Sequence, residues 1–137
     1  MYLDRHIDDL QHKLSQCPQL QDASVIKAYP YAIKPTALDR IVITLSPGGV
    51  NCDNVELGGN VMYGRYDIDA HFFVPHKMGS PVATDIVSRF LRNCVDNSVQ
   101  GIRLTQIDCD DLLRCYTAKC ALTYYDRLEF GDDSDER

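Results

Sequence analysis

The sequence YDIDAHFFVP, residues 66–75, has the most regular pattern in this chain of 137 residues. Alternate positions are apolar or aromatic: Tyr66, Ile68, Ala70, Phe72 and Val74. The positions between them are polar or charged, starting one residue earlier: Arg65, Asp67, Asp69 and His71. Because successive side chains of a strand point to opposite faces, this alternation predicts a β-strand with one face in the core and the other towards solvent. Pro75 is expected to end it.

Helical spacing is found on both sides of this strand. Before it, apolar residues recur every three or four positions, at Leu3, Ile7, Leu10 and Leu14, and Pro18 ends the pattern. After it, Ser80 is a suitable N-cap and Pro81 suits the first helical position. The apolar side of the helix that follows consists of Val82, Ile86, Phe90, Leu91 and Cys94. The sequence therefore predicts two amphipathic helices.

Two further strands are expected between the first helix and the long strand. Residues 24–29 (SVIKAY) are short and β-prone, and Pro30 and Pro35 favour an extended loop after them. Ile41, Ile43 and Leu45 alternate with polar or smaller residues, and the sequence Ser-Pro-Gly-Gly at 46–49 is typical of a turn. Residues 50–61 contain few apolar residues and are expected to form a long exposed loop or a loose hairpin.

The end of the chain predicts a hairpin. Residues 99–107 and 112–125 are expected to be strands joined by a turn at 108–111, with Tyr116, Ala118, Cys120, Leu122 and Tyr124 on the apolar face. The predicted fold class is α+β: an antiparallel or mixed β-sheet with two helices packed on one face, in the order α-β-β-(β)-β-α-β-β. Residues 1–130 should form a single domain, and the acidic residues 131–137 a disordered tail.

Composition restricts the possible functions. The chain is 45% apolar and 25% charged with a net charge of −6, which disfavours nucleic-acid binding because that binding depends on Lys and Arg. No segment is long and apolar enough to span a membrane, and the N-terminus does not resemble a secretory signal. We therefore expect a soluble cytoplasmic protein without specific nucleic-acid or membrane binding, whose six cysteines are free thiols.

No motif for catalysis, cofactor binding or metal binding is recognisable. The four histidines and the cysteines lack zinc spacing, and the glycine-rich sequences at 46–49 and 57–59 do not match a phosphate-binding loop. Asp67, Asp69 and His71 share one strand face and could hold a divalent metal for phosphate-ester hydrolysis, but the same pattern is typical of a solvated strand face. A metal site would require Glu56, Asp108 or Asp110 to approach that face.

The order and length of the elements resemble those of phage and prophage tail terminator or tail-completion proteins. The similarity covers an N-terminal amphipathic helix, the strand and turn IVITLSPGG, the long strand YDIDAHFFVP, the helix GSPVATDIVSRFLRNCV and a final hairpin ending in CALTYYDRLEF. The similarity covers nearly the whole chain and consists in the order, length and residue composition of these elements.

This resemblance implies a structural protein without enzymatic activity or cofactor. It would form a homo-oligomeric ring, usually a hexamer, that caps the tail tube and contacts head-completion proteins, in the cytoplasm of the host and then in the virion tail. The loop at 50–61 is the first candidate for subunit or tube contacts, through Val50, Asn54, Val55, Leu57 and Asn60. A monomeric adaptor or regulatory module with the same fold is the alternative.

Overall fold

The computed structural model describes residues 2–27, 39–55, 61–94, 99–112 and 114–129, with side chains described for 5–27, 39–50, 63–94, 99–112 and 114–125. The elements are, in order, α1 (Tyr2–Ser15), β1 (Ala23–Lys27), β2 (Ile41–Val55), β3 (Val61–Pro75), α2 (Ser80–Cys94), β4 (Val99–Leu104), β5 (Asp108–Asp110) and β6 (Cys115–Glu129). Short 3₁₀ turns follow α1 and β3, at Pro18–Leu20 and His76–Met78. The predicted α+β class, with two helices and a mixed sheet, is confirmed.

All six described strands belong to one sheet. Its order is β1-β2-β3-β6-β4, and β5 pairs with β6 beyond the end of β4. β1 is parallel to β2, and every other pair is antiparallel. β3 and β6 pair without interruption from Val61–Glu129 to Pro75–Cys115. The long strand identified from its alternation is therefore a central strand of the sheet.

The main core lies between one face of the sheet and the two helices. From the strands it takes the predicted apolar positions of β3, among them Tyr66, Phe72 and Val74. From the helices it takes Ile7, Leu10 and Leu14 of α1 and Ala83, Ile86, Val87, Phe90 and Cys94 of α2. Phe72 and Phe90 meet edge to face, with ring centroids 5.0 Å apart. Burial of these apolar faces positions both helices on the same side of the sheet.

The start of α2 follows the sequence closely. Gly79 has a φ of 89°, which a residue with a Cβ rarely adopts, and its N–H donates a hydrogen bond to the carbonyl of His76. The helix then begins at Ser80 with Pro81 in its first turn, where the missing N–H costs no helical hydrogen bond.

The predicted turn at residues 46–49 is wrong. Of the two alternatives predicted for residues 50–61, a long exposed loop or a loose hairpin, the structure shows the hairpin, because β2 and β3 pair antiparallel on either side of residues 56–60. β2 continues through these residues to Val55 and pairs with β3, with register shifts between Pro47 and Val50 and between Cys52 and Asn54. Proline and glycine within a strand are typical of such bulges. The proline and glycines that predicted a turn are therefore part of a bulge in β2.

The final hairpin also differs from its prediction. Asp108–Asp110 form the short strand β5 instead of a turn, and the chain reverses after them, between β5 and β6. Cys115 is on the face opposite the helices, as expected, but it is fully buried with Val42 and Phe73 in a second small cluster. The acidic tail at 131–137 and the proline-containing loop, including Pro30 and Pro35, lie outside the described residues.

Candidate assembly surfaces

Three strands extend the sheet beyond its helix-covered part, and we call this extension the arm. It consists of residues 50–55 of β2, 61–65 of β3 and 125–129 of β6. Among the described side chains, the main core ends at Leu45 on β2 and begins at Tyr66 on β3. Five or six residues per strand give the arm a length of about 20 Å. The arm is therefore held together by backbone pairing of its three strands, and its described side chains lie outside the main core.

Apolar side chains are exposed at the base of the arm and further along it. Val50 is 43% exposed and Tyr63 is 37% exposed. The guanidinium of Arg65 lies over the ring of Tyr125, 5.7 Å from its centroid, which is within the range of a cation–π contact. Exposed aromatic and apolar groups beside an arginine are frequent in protein–protein contacts.

The five predicted contact residues are distributed as follows. Val50 is exposed on β2, and the backbones of Asn54 and Val55 pair with Tyr63 and Met62 in the arm. Leu57 and Asn60 lie outside the described residues. The three described positions are thus in a paired strand and not in a loop, which gives this part of the chain a defined backbone.

A close approach of β2 to β3 occurs at the base of the arm. A Cβ atom added at Gly48 would lie 2.8 Å from the Cβ of Asp67 and 3.0 Å from a carboxylate oxygen of Asp69. No real Cβ contact is that short, so glycine is required here by packing.

The aspartates of β3 are engaged by side chains of β6. The Thr123 hydroxyl donates a hydrogen bond of 2.8 Å to Oδ1 of Asp67, and Lys119 Nζ lies 3.7 Å from Oδ2 of Asp69. Asp108 and Asp110 are on β5, which pairs with residues 115–117 of β6, whereas Asp67 and Asp69 pair with Thr123 and Ala121. Glu56 lies outside the described residues. Within the described part of the chain, no three His, Cys, Asp or Glu side chains have an arrangement suited to a metal ion.

His71 occupies a less polar environment than its neighbours in sequence suggest. Its Nδ1 is buried without a hydrogen-bond partner, as is Oγ1 of Thr44, the residue opposite it on β2. Burial, and then the positive charge of Lys119, lower the pKa of His71, while Asp69 acts in the opposite direction. The ring is therefore neutral at pH 7.

The fold brings one cysteine and one histidine together, which the sequence did not predict. Sγ of Cys109 lies 3.0 Å from Nε2 of His76, 33 residues away along the chain. Desolvation, followed by the negative charges of Asp111 and Asp110, raises the pKa of the Cys109 thiol. A nucleophilic cysteine requires a lowered pKa, so this pair lacks the electrostatics of a catalytic dyad.

Cys115 and Cys120 fit a structural role. The five described cysteines are free thiols. Burial is the largest cause that raises the pKa of Cys115 and of Cys120, in each case to about 11. Both thiols therefore stay protonated and pack as small apolar groups.

The open pockets among the described residues include one beside α1 and one at the arm. One of about 160 Å³ lies between α1, the end of α2 and the sheet, next to His6, Lys13 and Tyr124. The other, of about 260 Å³, lies at the base of the arm beside Val50 and Arg65. Both volumes are below the range of roughly 300–1,000 Å³ typical of small-molecule sites.

The edge of the sheet at β1 is covered by α1. Gln11 of this helix donates a hydrogen bond of 3.0 Å from Nε2 to the carbonyl of Val25. Lys27, at the end of β1, forms an ion pair of 2.6 Å with Asp8. Ile26 is still 38% exposed, but α1 contacts the strand and satisfies a backbone acceptor in it.

The opposite edge, at β4, has no such cover among the described residues. Ile102 and Leu104 pair with Leu122 and Cys120 of β6, so their side chains are on the face that the helices cover elsewhere. Yet they are 44% and 45% exposed. An edge strand with unpaired backbone groups and exposed apolar side chains is a surface on which another strand can pair.

Comparison with known proteins assigns the chain to no group. No protein-family model matches it, and no curated protein is significantly similar to it. Among the described residues, none of the helices has the length and apolar character needed to cross a bilayer.

Proposed function

We propose that this protein is a structural subunit of a phage or prophage tail, of the tail terminator kind, which assembles into a homo-oligomeric ring. The ring would cap the tail tube and contact head-completion proteins, after assembly from subunits in the cytoplasm of the bacterial host. The observation that supports this proposal most directly is the arm, because it extends the sheet by about 20 Å without a helix packed on its described side chains.

The arm is suited to contact another subunit. Its backbone is ordered by pairing along three strands, which lowers the entropy that binding must overcome. Val50 at its base and Tyr63 further along expose apolar surface, and Arg65 adds a charged group. Such a combination can form the centre of an interface once a partner excludes water from it.

The charge of the chain agrees with a role around DNA. A net charge of −6 gives each copy a negative potential, and a ring of such copies would repel the phosphate backbone. DNA could then pass through the ring without being retained by it.

The solution mass of the protein tests the proposal. We expect light scattering over a range of protein concentrations to give a ring-sized multiple of the subunit mass of 15.5 kDa, unchanged by a metal chelator. The substitution Val50→Asp should reduce this assembly, because it introduces a charge into the apolar base of the arm.

Leu112 provides the matched control. It is 76% exposed in the reversal between β5 and β6, so Leu112→Asp makes the same kind of change far from the arm and should leave the assembly intact. A strict monomer at all concentrations would contradict the ring and favour the monomeric adaptor. Equal loss of assembly in both variants would contradict the role of the arm.

A further inference from the structure

We propose that the open edge of the sheet pairs with the same edge of a second copy, antiparallel and about a twofold axis. The outer edge, as we define it, comprises residues 102–109, which include the end of β4, the start of β5 and the three residues between them. This inference concerns the free protein and does not depend on its role in a tail.

The backbone of the outer edge is directed towards such a partner. The N–H of Thr105 donates a hydrogen bond of 2.9 Å to the carbonyl of Lys119, so Thr105 faces β6. In an antiparallel ladder, bonding direction alternates along the strand, and Leu104 and Ile102 therefore direct their N–H and C=O groups away from β6.

Between Leu104 and Asp108 the edge advances four residues while β6 advances three, so one extra residue shifts the alternation. Along β6, Thr117 and Cys115 bond in the same direction as Lys119, towards the outer edge. Asp108 and Asp110, which pair with them, therefore face β6, and Cys109 between them faces outwards.

One register makes this edge complementary to itself. It places Ile102 opposite Cys109 of the second copy, and Leu104 opposite Ile107 of the second copy. These four side chains share the helix-covered face, since Ile102, Leu104 and Cys109 pair with Leu122, Cys120 and Tyr116, and Ile107 packs on the main core. Each exposed apolar side chain thus receives an apolar neighbour.

The charges agree with the same register. It places Arg103 opposite Asp108 of the second copy, and both side chains are exposed on the opposite face of the sheet, because their partners in β6 are Ala121 and Thr117. Gln106 Nε2 donates a hydrogen bond of 3.0 Å to Oδ1 of Asp108 within one copy, which leaves the second carboxylate oxygen available. The twofold axis repeats every contact, so the pair contains two Arg–Asp contacts.

Neighbouring registers are less favourable. If Ile102 were opposite Leu104, Arg103 would be directly opposite Arg103 of the second copy, and like charges in that position are destabilising. If Leu104 were opposite Cys109, Ile102 would be opposite Asp111, which leaves its apolar surface beside a carboxylate. The proposed register alone among these satisfies both the apolar and the charged side chains.

A twofold contact closes on itself and produces a pair. A ring of more than two copies would need a second, different surface, and the arm is the one proposed above. The two proposals therefore concern different surfaces, the outer edge and the arm, and a variant at one surface tests one proposal.

A disulfide cross-link tests the register directly. Residues opposite each other in a hydrogen-bonded antiparallel pair have Cα atoms about 5.5 Å apart, which is within the range of about 4.4–6.8 Å for a disulfide. Ile102→Cys should therefore give a covalent pair under mild oxidation, through native Cys109 of the second copy. Peptide mapping by mass spectrometry should identify a link between positions 102 and 109.

Two control variants isolate this link. Ile102→Cys combined with Cys109→Ser should not cross-link at that position. Leu104→Cys introduces an equally exposed thiol on the same strand, but Cys109 of the second copy would be its diagonal neighbour, about 7–8 Å away and beyond disulfide range. Because Ile102 and Leu104 are each close to half exposed, none of these changes alters the core.

A charge exchange tests the same register without cysteine chemistry. Arg103→Asp and Asp108→Arg should each weaken the pair about tenfold, because each creates two like-charge contacts. The double variant restores opposite charges, and its dissociation constant should return to within about threefold of the original value. Analytical ultracentrifugation measures all four proteins.

The outcomes are distinct. The 102–109 link together with recovery in the double variant would support the pairing. Three results would overturn the pairing. The protein could stay monomeric at every concentration, Leu104→Cys could cross-link as well as Ile102→Cys, or the double variant could associate more weakly than both single variants. A ring-sized particle without the link would overturn the pairing and leave the tail proposal intact, whereas a linked pair that forms nothing larger would support the pairing and count against the ring.

Discussion

The two edges of the sheet both expose apolar side chains, but they differ in whether a described element of the chain covers them. At β1, the helix α1 lies against the strand, and Gln11 and Asp8 bond to Val25 and Lys27. At β4, Ile102 and Leu104 are exposed, and no described element covers them. One edge is protected by its own chain, and the other is left open by the described residues.

This difference indicates where association can occur. Proteins commonly cover, shorten or charge the edges of their sheets to prevent pairing with other chains. Here the covered edge contributes to folding, because α1 packs on the main core as well as on β1. The open edge contributes little to folding, so changes there should affect association and leave stability almost unchanged.

The largest expected effect comes from loosening the helix that covers β1. Leu14 is fully buried, so Leu14→Ala should lower the free energy of unfolding by about 3 kcal/mol, through lost transfer energy and the cavity left behind. Urea denaturation at a protein concentration too low for association measures this change.

Leu104→Ala is the matched change on the open edge. Because Leu104 is 45% exposed, we expect a change of less than about 0.5 kcal/mol in the unfolding free energy. Similar losses in the two variants would contradict the distinction between a folding edge and an association edge.

A smaller effect is expected from the hydrogen bond at the covered edge. Gln11→Ala removes the donor to the carbonyl of Val25 and should lower the unfolding free energy by about 1 kcal/mol. Gln100→Ala makes the same change at an exposed position of β4 and should change the unfolding free energy by no more than about 0.5 kcal/mol. If Gln11→Ala also left the unfolding free energy unchanged, the hydrogen bond from Gln11 would not stabilise the covered edge.

The centre of the sheet, between the two edges, should respond to pH. Burial lowers the pKa of His71 in the folded state, so below the ordinary value of 6.5 the unfolded chain takes up a proton that the folded chain resists. The free energy of unfolding should therefore fall as pH is lowered from 7.5 through 6.5 to 5. His71→Gln should reduce this dependence in urea titrations, and an identical pH dependence in both proteins would contradict the assignment to His71.

The smallest effect is expected at the ion pair of the covered edge. Lys27 and Asp8 have side chains that are 46% and 57% exposed, so Lys27→Ala should cost no more than about 0.5 kcal/mol. Any difference should disappear at about 1 M salt, where the Debye length is about 3 Å. A loss above 1 kcal/mol would show that the covered edge depends on charge more than on packing.

The sequence predicted the part of the fold that contains a core. Alternation in residues 66–75 identified β3, and helical spacing identified α1 and α2, because burial of one face leaves a regular apolar pattern. Pairs such as Phe72 and Phe90, 5.0 Å apart, result from those two patterns meeting.

The arm was predicted only as one of two alternatives, a loose hairpin instead of a loop, because its sequence lacks an apolar pattern. Residues 50–55 have no apolar alternation and resemble a loop in sequence, whereas their backbone pairs with β3. Pro47 and Gly48 strengthened that impression, although here they form a bulge and a close approach. The proximity of Cys109 and His76 was also hidden, because a distance of 33 residues gives no local pattern.

The two register shifts in β2 have a geometric consequence for the arm. From Pro47 opposite Ile68 to Asn54 opposite Tyr63, β2 advances seven residues while β3 advances five. Two paired strands of unequal length bend towards the shorter strand, which is β3 here. The two register shifts therefore predict that the arm curves towards β3. Deleting Gly49 would remove half of that excess and leave Val50 paired with Tyr66, so the arm should keep its register and lose part of its bend.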